Sequence, residues 1–439
     1  MAARRRRILR AAARGRALKF CMVTTFYPPH AFGGDGVFVW RLSNCLAAAG
    51  HTVEVIHCLD SYRAVGGQTL PAGWDNHPNI TLHSLQSGVG TLSPLATYFT
   101  GRPHFKSTRL RELLADGKFD VIHFHNISLV GGPAILAYGD ALKLYTLHEH
   151  WLVCPTHVLY KFNREPCVKP SCFACTVAHG RPPQLWRYSD LLKRSLMHVD
   201  SFIAPSRFTR QRHQDAGINR PMAHLPHGLD AAWTTPSTMS RAEAKVPERP
   251  YFLFVGRLEK LKGAHTLIPH FLNQRAADLL IIGQGSEEPQ LRQLAGDSTH
   301  IHFAGWRQGD LLKAAYAHAI ATVVPSLTYE TFGLVMVESF SQGTPAIVHD
   351  LGALPELIDA SDSGMIFRNE HELGIALQTL LHNSALRNRM GEAGRRAFEE
   401  RWTQERHLEG YMELIDGLQV GRQNSPTVVG AREKIGCTQ

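Results

Sequence analysis

The feature that most limits this chain is an alternation of short apolar runs with longer helical patterns, repeated in two blocks along its 439 residues. "KFCMVTTFYPP" is an apolar strand ending in a proline turn, and the glycine-rich loop "AFGGDG" follows. "VFVWRLSNCLAAAGH" then has helical spacing and is closed by Gly50. "TVEVIHC", "FDVIHFHN", "LKLYTLHEH" and "DSFIAPS" are further strands, and Ser206 after the last is an expected N-cap for "RFTRQRHQDAG". A helix between two apolar strands returns the chain to the same sheet edge in the same direction, so the pattern predicts an α/β fold with a doubly wound parallel sheet. From 229 to 250 the pattern breaks into "LDAAWTTPSTMSRAEAKVPERP", rich in Pro, Ser and Thr, which reads as a linker with at most one short turn. Alternation restarts with "YFLFVGRL", "DLLIIGQG", "HIHFAGW", "AIATVVPS" and "TPAIVHD". The expected organisation is a basic arm over 1–18, one sheet domain over 19–228, the linker, a second sheet domain over 251–402, a closing helix over 403–418 and a tail over 419–439. Ligands of open parallel sheets bind beyond the carboxyl ends of the strands, so the polar residues at those ends carry the functional argument.

Charge narrows the partners. The formal net charge is +9, but seven arginines and one lysine lie in residues 1–19, with no acid among them. The remainder is nearly neutral, which argues against a nucleic-acid surface. The arm lacks the apolar core of a signal peptide, and no run reaches the length of a membrane span. It reads as a solvated extension, with a transit peptide or a peripheral contact with an anionic membrane as alternatives. The sequence sets no oligomeric state.

Several strand ends suit an anion. "FVGRLEKLKG" places Arg257 and Lys262 just past a strand, where two fixed cations fit a diphosphate. "LLIIGQG" ends with Gly283 and Gly285, which let a ligand approach the backbone. "AIATVVPSLTYE" is a strand and loop, and "TFGLVMVESFSQG" a helix with Thr331 as expected N-cap and Gly343 as terminator. The free amides and positive dipole of its first turn make an anion site that Gly333 keeps open. Glu330 stands before that helix and Glu338 is expected about two turns inside it. A carboxylate at such an end repels phosphate, so Glu330 fits sugar hydroxyls. Gly33, Gly34 and Gly36 open the first helix in a second anion-friendly geometry, and His148 ends a strand facing the same cleft. The chain holds no D-x-D, so these cations are expected to act without a catalytic metal.

These residues resemble a family. The E-x7-E of "ETFGLVMVE", flanked by "VVPSLTY" and "SQGTPAIVHDLGALPELI", together with "FVGRLEKLKG", "IIGQG", "FAGW", "FYPPHAFGG", "IAPSRFTRQ" and "LPHGLD", resembles the retaining glycosyltransferases of family 4 over roughly residues 19–415. The resemblance implies a GT-B fold, two Rossmann-like domains facing a central cleft. It implies a nucleotide-diphosphate sugar as donor and a glycan, lipid-linked or small-molecule acceptor. It implies that Glu338 binds the ribose, that Glu330 and the amides of Thr331, Phe332, Gly333 and Leu334 hold the donor sugar and its phosphates, and that Arg257 and Lys262 bind the diphosphate. Gly33 and Gly34 complete that pocket, His148 lies near the transferring sugar, and the closing helix crosses back to the first domain. The acceptor enters on the face that the diphosphate leaves, in polysaccharide or glycoconjugate synthesis in the cytoplasm.

Cys154, Cys167, Cys172 and Cys175, spaced C-x12-C-x4-C-x2-C within 151–180, depart from the general family pattern and read as an insertion. Four cysteines with proline turns predict a structural zinc site, with His157 or His179 able to replace a thiol; an iron–sulfur cluster, reduced thiols or disulfides remain open. Two other functions also stay open on the sequence alone. One is a GT-B epimerase or phosphorylase; the other is a zinc-containing nucleic-acid binder, which the near-neutral body disfavours.

Overall fold

The computed structural model describes residues 16–67, 73–272 and 276–423. The basic arm therefore falls almost wholly outside the described residues, as does the tail beyond 423.

Two parallel sheets organise the described chain. The N-terminal sheet has seven strands: β1 (Lys19–Val23), β2 (Thr52–Cys58), β3 (Ile80–Leu85), β4 (Val121–Phe124), β5 (Leu142–Thr146), β6 (Ser201–Ala204) and β7 (Met222–His224). Their spatial order is β3-β2-β1-β4-β5-β6-β7. The C-terminal sheet has six: β8 (Tyr251–Val255), β9 (Asp278–Ile282), β10 (Ile301–Phe303), β11 (Thr322–Val324), β12 (Ala346–His349) and β13 (Gly364–Phe367), in the order β10-β9-β8-β11-β12-β13. Central strands such as β1, β4 and β5 are buried almost throughout, which is why they are predominantly apolar. β3, β7 and β13, which the sequence did not reveal, are all edge strands. β3 exposes much of its surface, so "ITLHSL" carries no unbroken apolar signal.

Six helices line the cleft or brace the surfaces beside it: α1 (Gly34–Ala48), α2 (Leu92–Thr100), α3 (Cys172–Ala178), α4 (Arg207–Asp215), α5 (Leu334–Ser341) and α6 (Gln404–Gln423). α6 is longer than the expected closing helix and lies on the N-terminal half. Its Leu408, Tyr411 and Ile415 pack with Val39 and Leu42 of α1 and with Phe20 of β1. The opposite face of that sheet is covered by Leu110, Trp151, Trp186 and Leu196.

The chain passes between the halves twice, and the two passages pair. Leu229 N–H donates to the Trp402 carbonyl at 2.9 Å, and Gln404 N–H donates to the Leu229 carbonyl at 2.7 Å. A Cβ on Gly228 would lie 2.4 Å from the Thr403 carbonyl oxygen, so only glycine allows this approach. The segment expected as a linker is itself structured. Trp233, Ala244 and Val246 are buried in the C-terminal core, and a capping box of Ser240 and Glu243 starts a short helix at Arg241–Ala244.

Candidate active site

On the C-terminal side the site is built from the exits of β8 and β11. Beyond β8 the chain passes Arg257 and forms a 3-10 turn over Lys260–Lys262. Gly263 follows at φ +75°, and a Cβ there would meet the Pro325 carbonyl oxygen at 2.0 Å. Glycine thus seats the Lys262 turn against the segment leaving β11, and Leu327 N–H donates to the Leu261 carbonyl at 2.8 Å. Lys262 Nζ donates to Glu330 Oε1 at 2.6 Å, and Ser326 Oγ donates to the same oxygen at 2.6 Å. Burial pushes the Glu330 carboxyl up, but the Lys262 charge and these hydrogen bonds outweigh it, and the carboxyl is held below its usual range. Arg257 adds to this lowering, while its guanidinium pairs with Glu259 at 2.7 Å and remains exposed.

α5 begins later than its sequence suggests. Its N-cap is Gly333, at φ +117°, not Thr331. The Thr331 hydroxyl is used elsewhere, donating to the His148 carbonyl at 3.0 Å across the cleft. Glu338 consequently sits just over one turn into α5, not two. Tyr316 Oη donates to Glu338 Oε2 at 2.8 Å. Burial raises the Glu338 carboxyl pKa, against a lowering by Arg41 of α1. Arg41 Nε in turn pairs with Asp230 at 3.0 Å. A Cβ on Gly34 would lie 3.6 Å from Leu334 Cδ1, so the first turns of α1 and α5 face each other. Gly33, the N-cap of α1, has open space where a side chain would stand.

Gly283 is also required by the packing of the protein's own backbone. At φ +142°, a Cβ there would meet the Gly256 carbonyl oxygen at 1.8 Å. Gly285 is similarly placed, 2.3 Å from the Leu258 carbonyl oxygen. The backbone these glycines admit is the protein's own, from the loop that carries Arg257.

The N-terminal side is a stack of histidines. His148 follows β5 and shares a hydrogen bond with His125 after β4, from Nε2 to Nδ1, at 3.0 Å. The His148 ring lies 4.9 Å from Phe38 of α1 and 5.2 Å from His227. His125 lies 4.0 Å from His123, whose Nδ1 meets Tyr411 Oη of α6 at 2.9 Å. His407, one turn earlier in α6, donates from Nδ1 to the Pro226 carbonyl at 2.7 Å. Burial lowers all five pKa values: those of His148 and His407 to about 4, and those of His123, His125 and His227 well below their ordinary value. Phe332 joins the two sides, buried and edge-on to His227 at 5.3 Å.

The halves also meet through α4. Its N-cap Ser206 accepts from Thr209 N–H at 3.0 Å, as the sequence predicts. Glu356 of the C-terminal half accepts the preceding two amides, Arg207 N–H at 2.9 Å and Phe208 N–H. Sequence reasoning had not reached Arg41, His125, His227, Tyr316, Glu356, His407 or Tyr411. For His125, the two histidines of "VIHFHN" at a strand end are a visible signal.

The matches to known proteins agree with this geometry. Residues 32–233 match the model described as Glycosyltransferase Family 4, and residues 237–397 match Glycosyl transferases group 1. The chain belongs to glycosyltransferase family 4. It is a retaining glycosyltransferase of the GT-B class, a family that draws on nucleotide-diphosphate sugars. The glycogen synthase of Mycobacterium tuberculosis is 28% identical over 409 residues, covering 86% of this chain and 89% of that protein. The phosphatidyl-myo-inositol mannosyltransferase of Mycobacterium leprae is 24% identical over 385 residues, covering 84% and 90%. Sucrose-phosphate synthase from Thermosynechococcus elongatus superposes with a TM-score of 0.72 at 20% identity, over 92% of this chain and all of that one. The Family 4 match runs straight through 151–180, which gives no support to reading that segment as an insertion.

The zinc expectation finds no support here. Among the described residues no group of three or more His, Cys, Asp or Glu side chains converges on a metal position. Cys154 and Cys167 are buried with Leu159 in a small apolar cluster under Tyr329, serving as hydrophobic residues. Cys175 Sγ accepts from Phe162 N–H at 3.3 Å. Cys172, one turn before it on α3, is only partly buried. His157 Nδ1 donates to Glu149 at 2.8 Å and His179 Nε2 donates to the Tyr160 carbonyl at 2.9 Å. The segment instead braces the cleft: the Thr328 hydroxyl donates to the Val158 carbonyl, and Arg212 of α4 donates to the Cys167 carbonyl.

Proposed function

We propose that the enzyme binds the diphosphate of its sugar donor between Lys262, Arg257 and the first-turn amides of α5, with Gly33 and Gly34 opposite. Glu338 takes the ribose hydroxyls, and Glu330, with the amides of Thr331 to Leu334, holds the sugar and its phosphates. The observation that carries this reading is the Lys262–Glu330 pair, 2.6 Å apart, directly before the α5 amide end. As the bond from the anomeric carbon to the diphosphate breaks, negative charge builds on the leaving oxygen. Cations and amides already aimed there stabilise that state more than the ground state, which lowers the barrier. The acceptor, a glycan, lipid-linked or small-molecule hydroxyl, enters on the face the diphosphate leaves, and a phosphate oxygen takes its proton. No protein group serves as a covalent nucleophile in this reading.

His148 then acts as a donor. The hydrogen bond between His125 and His148 holds one proton. If it sits on His125 Nδ1, then His125 Nε2 is a bare lone pair; that atom is buried and without a protein partner among the described residues. The reverse assignment would strand an N–H at the same atom, which is the rarer and costlier defect. His148 Nε2 therefore accepts, and the neutral ring carries its proton on Nδ1, offering a hydrogen bond to a sugar oxygen rather than a base.

Release of nucleoside diphosphate from UDP-, GDP- and ADP-sugars, with and without acceptor, tests the proposal. One donor is expected to be turned over, with release lost in Arg257→Gln and Lys262→Gln. Near-normal rates in both folded variants overturn the diphosphate assignment, and conversion of the donor sugar without transfer would point to an epimerase.

A further inference from the structure

Exposed apolar side chains are unevenly spread. Nineteen large hydrophobic residues are exposed among the described residues, and ten of them fall in 91–105 and 168–197. Leu92, Leu95 and Phe99 project from α2; Phe105, Leu185 and Tyr188 lie on the short turns packed beside it. The two segments form one surface. Tyr98 Oη donates to the Pro182 carbonyl at 2.8 Å, and Trp186 Nε1 donates to the Tyr98 carbonyl at 2.9 Å. Arg187, its guanidinium 4.6 Å from the centre of the Trp186 ring, ties the turn down through the Trp151 carbonyl at 2.8 Å. The apolar side chains are thus held outward by a fixed frame, and clustered exposed apolar surface of this kind marks an interaction site.

The exposed charge carried by these two segments is mainly basic. Arg102, Lys169, Arg181, Lys193 and Arg194 are exposed within the two segments, and Asp190 is their single acid. The 91–105 segment follows the carboxyl end of β3, whereas 168–197 ends just before the amino end of β6, so the surface runs along the flank of the N-terminal sheet.

We infer that this surface docks on an anionic lipid bilayer, the apolar residues entering the headgroup boundary and the basic ring meeting lipid phosphates. A second copy of the chain is the less suitable occupant, because two such surfaces would face each other with like charge. Docking stands on this surface alone.

The test is co-sedimentation of the full chain with phosphatidylcholine vesicles, with and without phosphatidylglycerol. The expected result is partitioning onto the anionic vesicles only, falling as salt is added. Phe99→Asp with Leu95→Asp is expected to lower partitioning about tenfold or more. Lys193→Glu with Arg194→Glu is expected to lower it at least about fivefold at low salt. Deletion of residues 2–15 is expected to leave most of the binding in place. Donor turnover into water and the melting temperature are expected to be unchanged in the surface variants; this readout separates failure of docking from failure of the donor-site reading. Three results overturn the inference: no binding of the wild type to anionic vesicles, binding that disappears with the arm but survives both surface variants, or a wild-type dimer that Phe99→Asp with Leu95→Asp converts to a monomer without lowering partitioning.

Discussion

On the C-terminal side of the cleft, Lys262 and Glu330 meet as a charged pair. On the N-terminal side, His123, His125, His148, His227 and His407 lie against one another, and burial favours the neutral form of every ring. The same chain solves two electrostatic problems within one site. A leaving diphosphate needs positive charge fixed in advance, and a lysine partnered by a carboxylate keeps its cation where it is needed. A sugar ring carries hydroxyls and no formal charge, so the facing wall works with neutral donors and acceptors. A cation there would compete for the diphosphate and pull the donor out of register. The division also explains why two carboxylates eight residues apart differ: Glu330 is held ionised by Lys262, whereas burial of Glu338 beside Tyr316 raises its pKa.

The comparison breaks first at Lys262. Lys262→Gln or Arg257→Gln is expected to cut turnover about 10²- to 10³-fold. Arg257 is exposed, so its variant keeps the wild-type melting temperature, whereas Lys262→Gln also strands Glu330 and lowers stability by about 1–3 kcal/mol. Steady-state kinetics beside a thermal melt read both effects. On the neutral wall, His148→Ala is expected to lower kcat about 10- to 100-fold with little change in donor KM, as befits one lost hydrogen bond made best in the transition state. His125→Leu frees the His148 tautomer and is expected to cost about threefold to tenfold, with the ¹⁵N shifts of His148 moving away from an Nδ1–H pattern. Unchanged shifts would mean that His125 does not set the tautomer.

Acid attacks the histidine wall before the charged one. The His148 and His407 pKa values lie near 4 in the fold and near the ordinary value of 6.5 when the chain unfolds. The unfolded chain therefore binds more protons across that window, and stability falls as pH drops from about 6.5 to about 4, by up to about 1.4 kcal/mol per pH unit for each ring. A melting temperature that stays flat over this range contradicts the buried neutral stack. The smallest effect is expected at Tyr316. Tyr316→Phe removes one hydrogen bond to Glu338 and is expected to raise donor KM less than about tenfold, leaving kcat unchanged.

Much of this was legible in the sequence, and what was not has a physical pattern. Central strands announce themselves because both faces are buried; the edge strands β3, β7 and β13 do not. Arg257, Lys262, Glu330 and His148 stand at strand ends, where a linear reading can find them. Arg41, His227 and Tyr316 come from distant parts of the chain and meet the site only through packing. Thr331 looked like a helix cap because threonine favours that position. The turn into α5 needs φ +117°, which Gly333 adopts without cost, and the threonine hydroxyl bonds across the cleft instead. The cysteines are a related case, since spacing records ligand-like residues but not whether their sulfurs converge on one point. For Gly283, sequence identified close backbone approach and could not say whose backbone.

Glu356 gives the protein a way to report its own shape. It caps α4 from the opposite half, so the amides of Arg207 and Phe208 are shielded only while the halves are together, whereas Thr209 is protected by Ser206 within the N-terminal half. Amide exchange at 207 and 208, referred to 209, therefore becomes a closure gauge internal to one helix. It needs no label and no substrate, and it would register each donor or acceptor by how far it draws the two halves together.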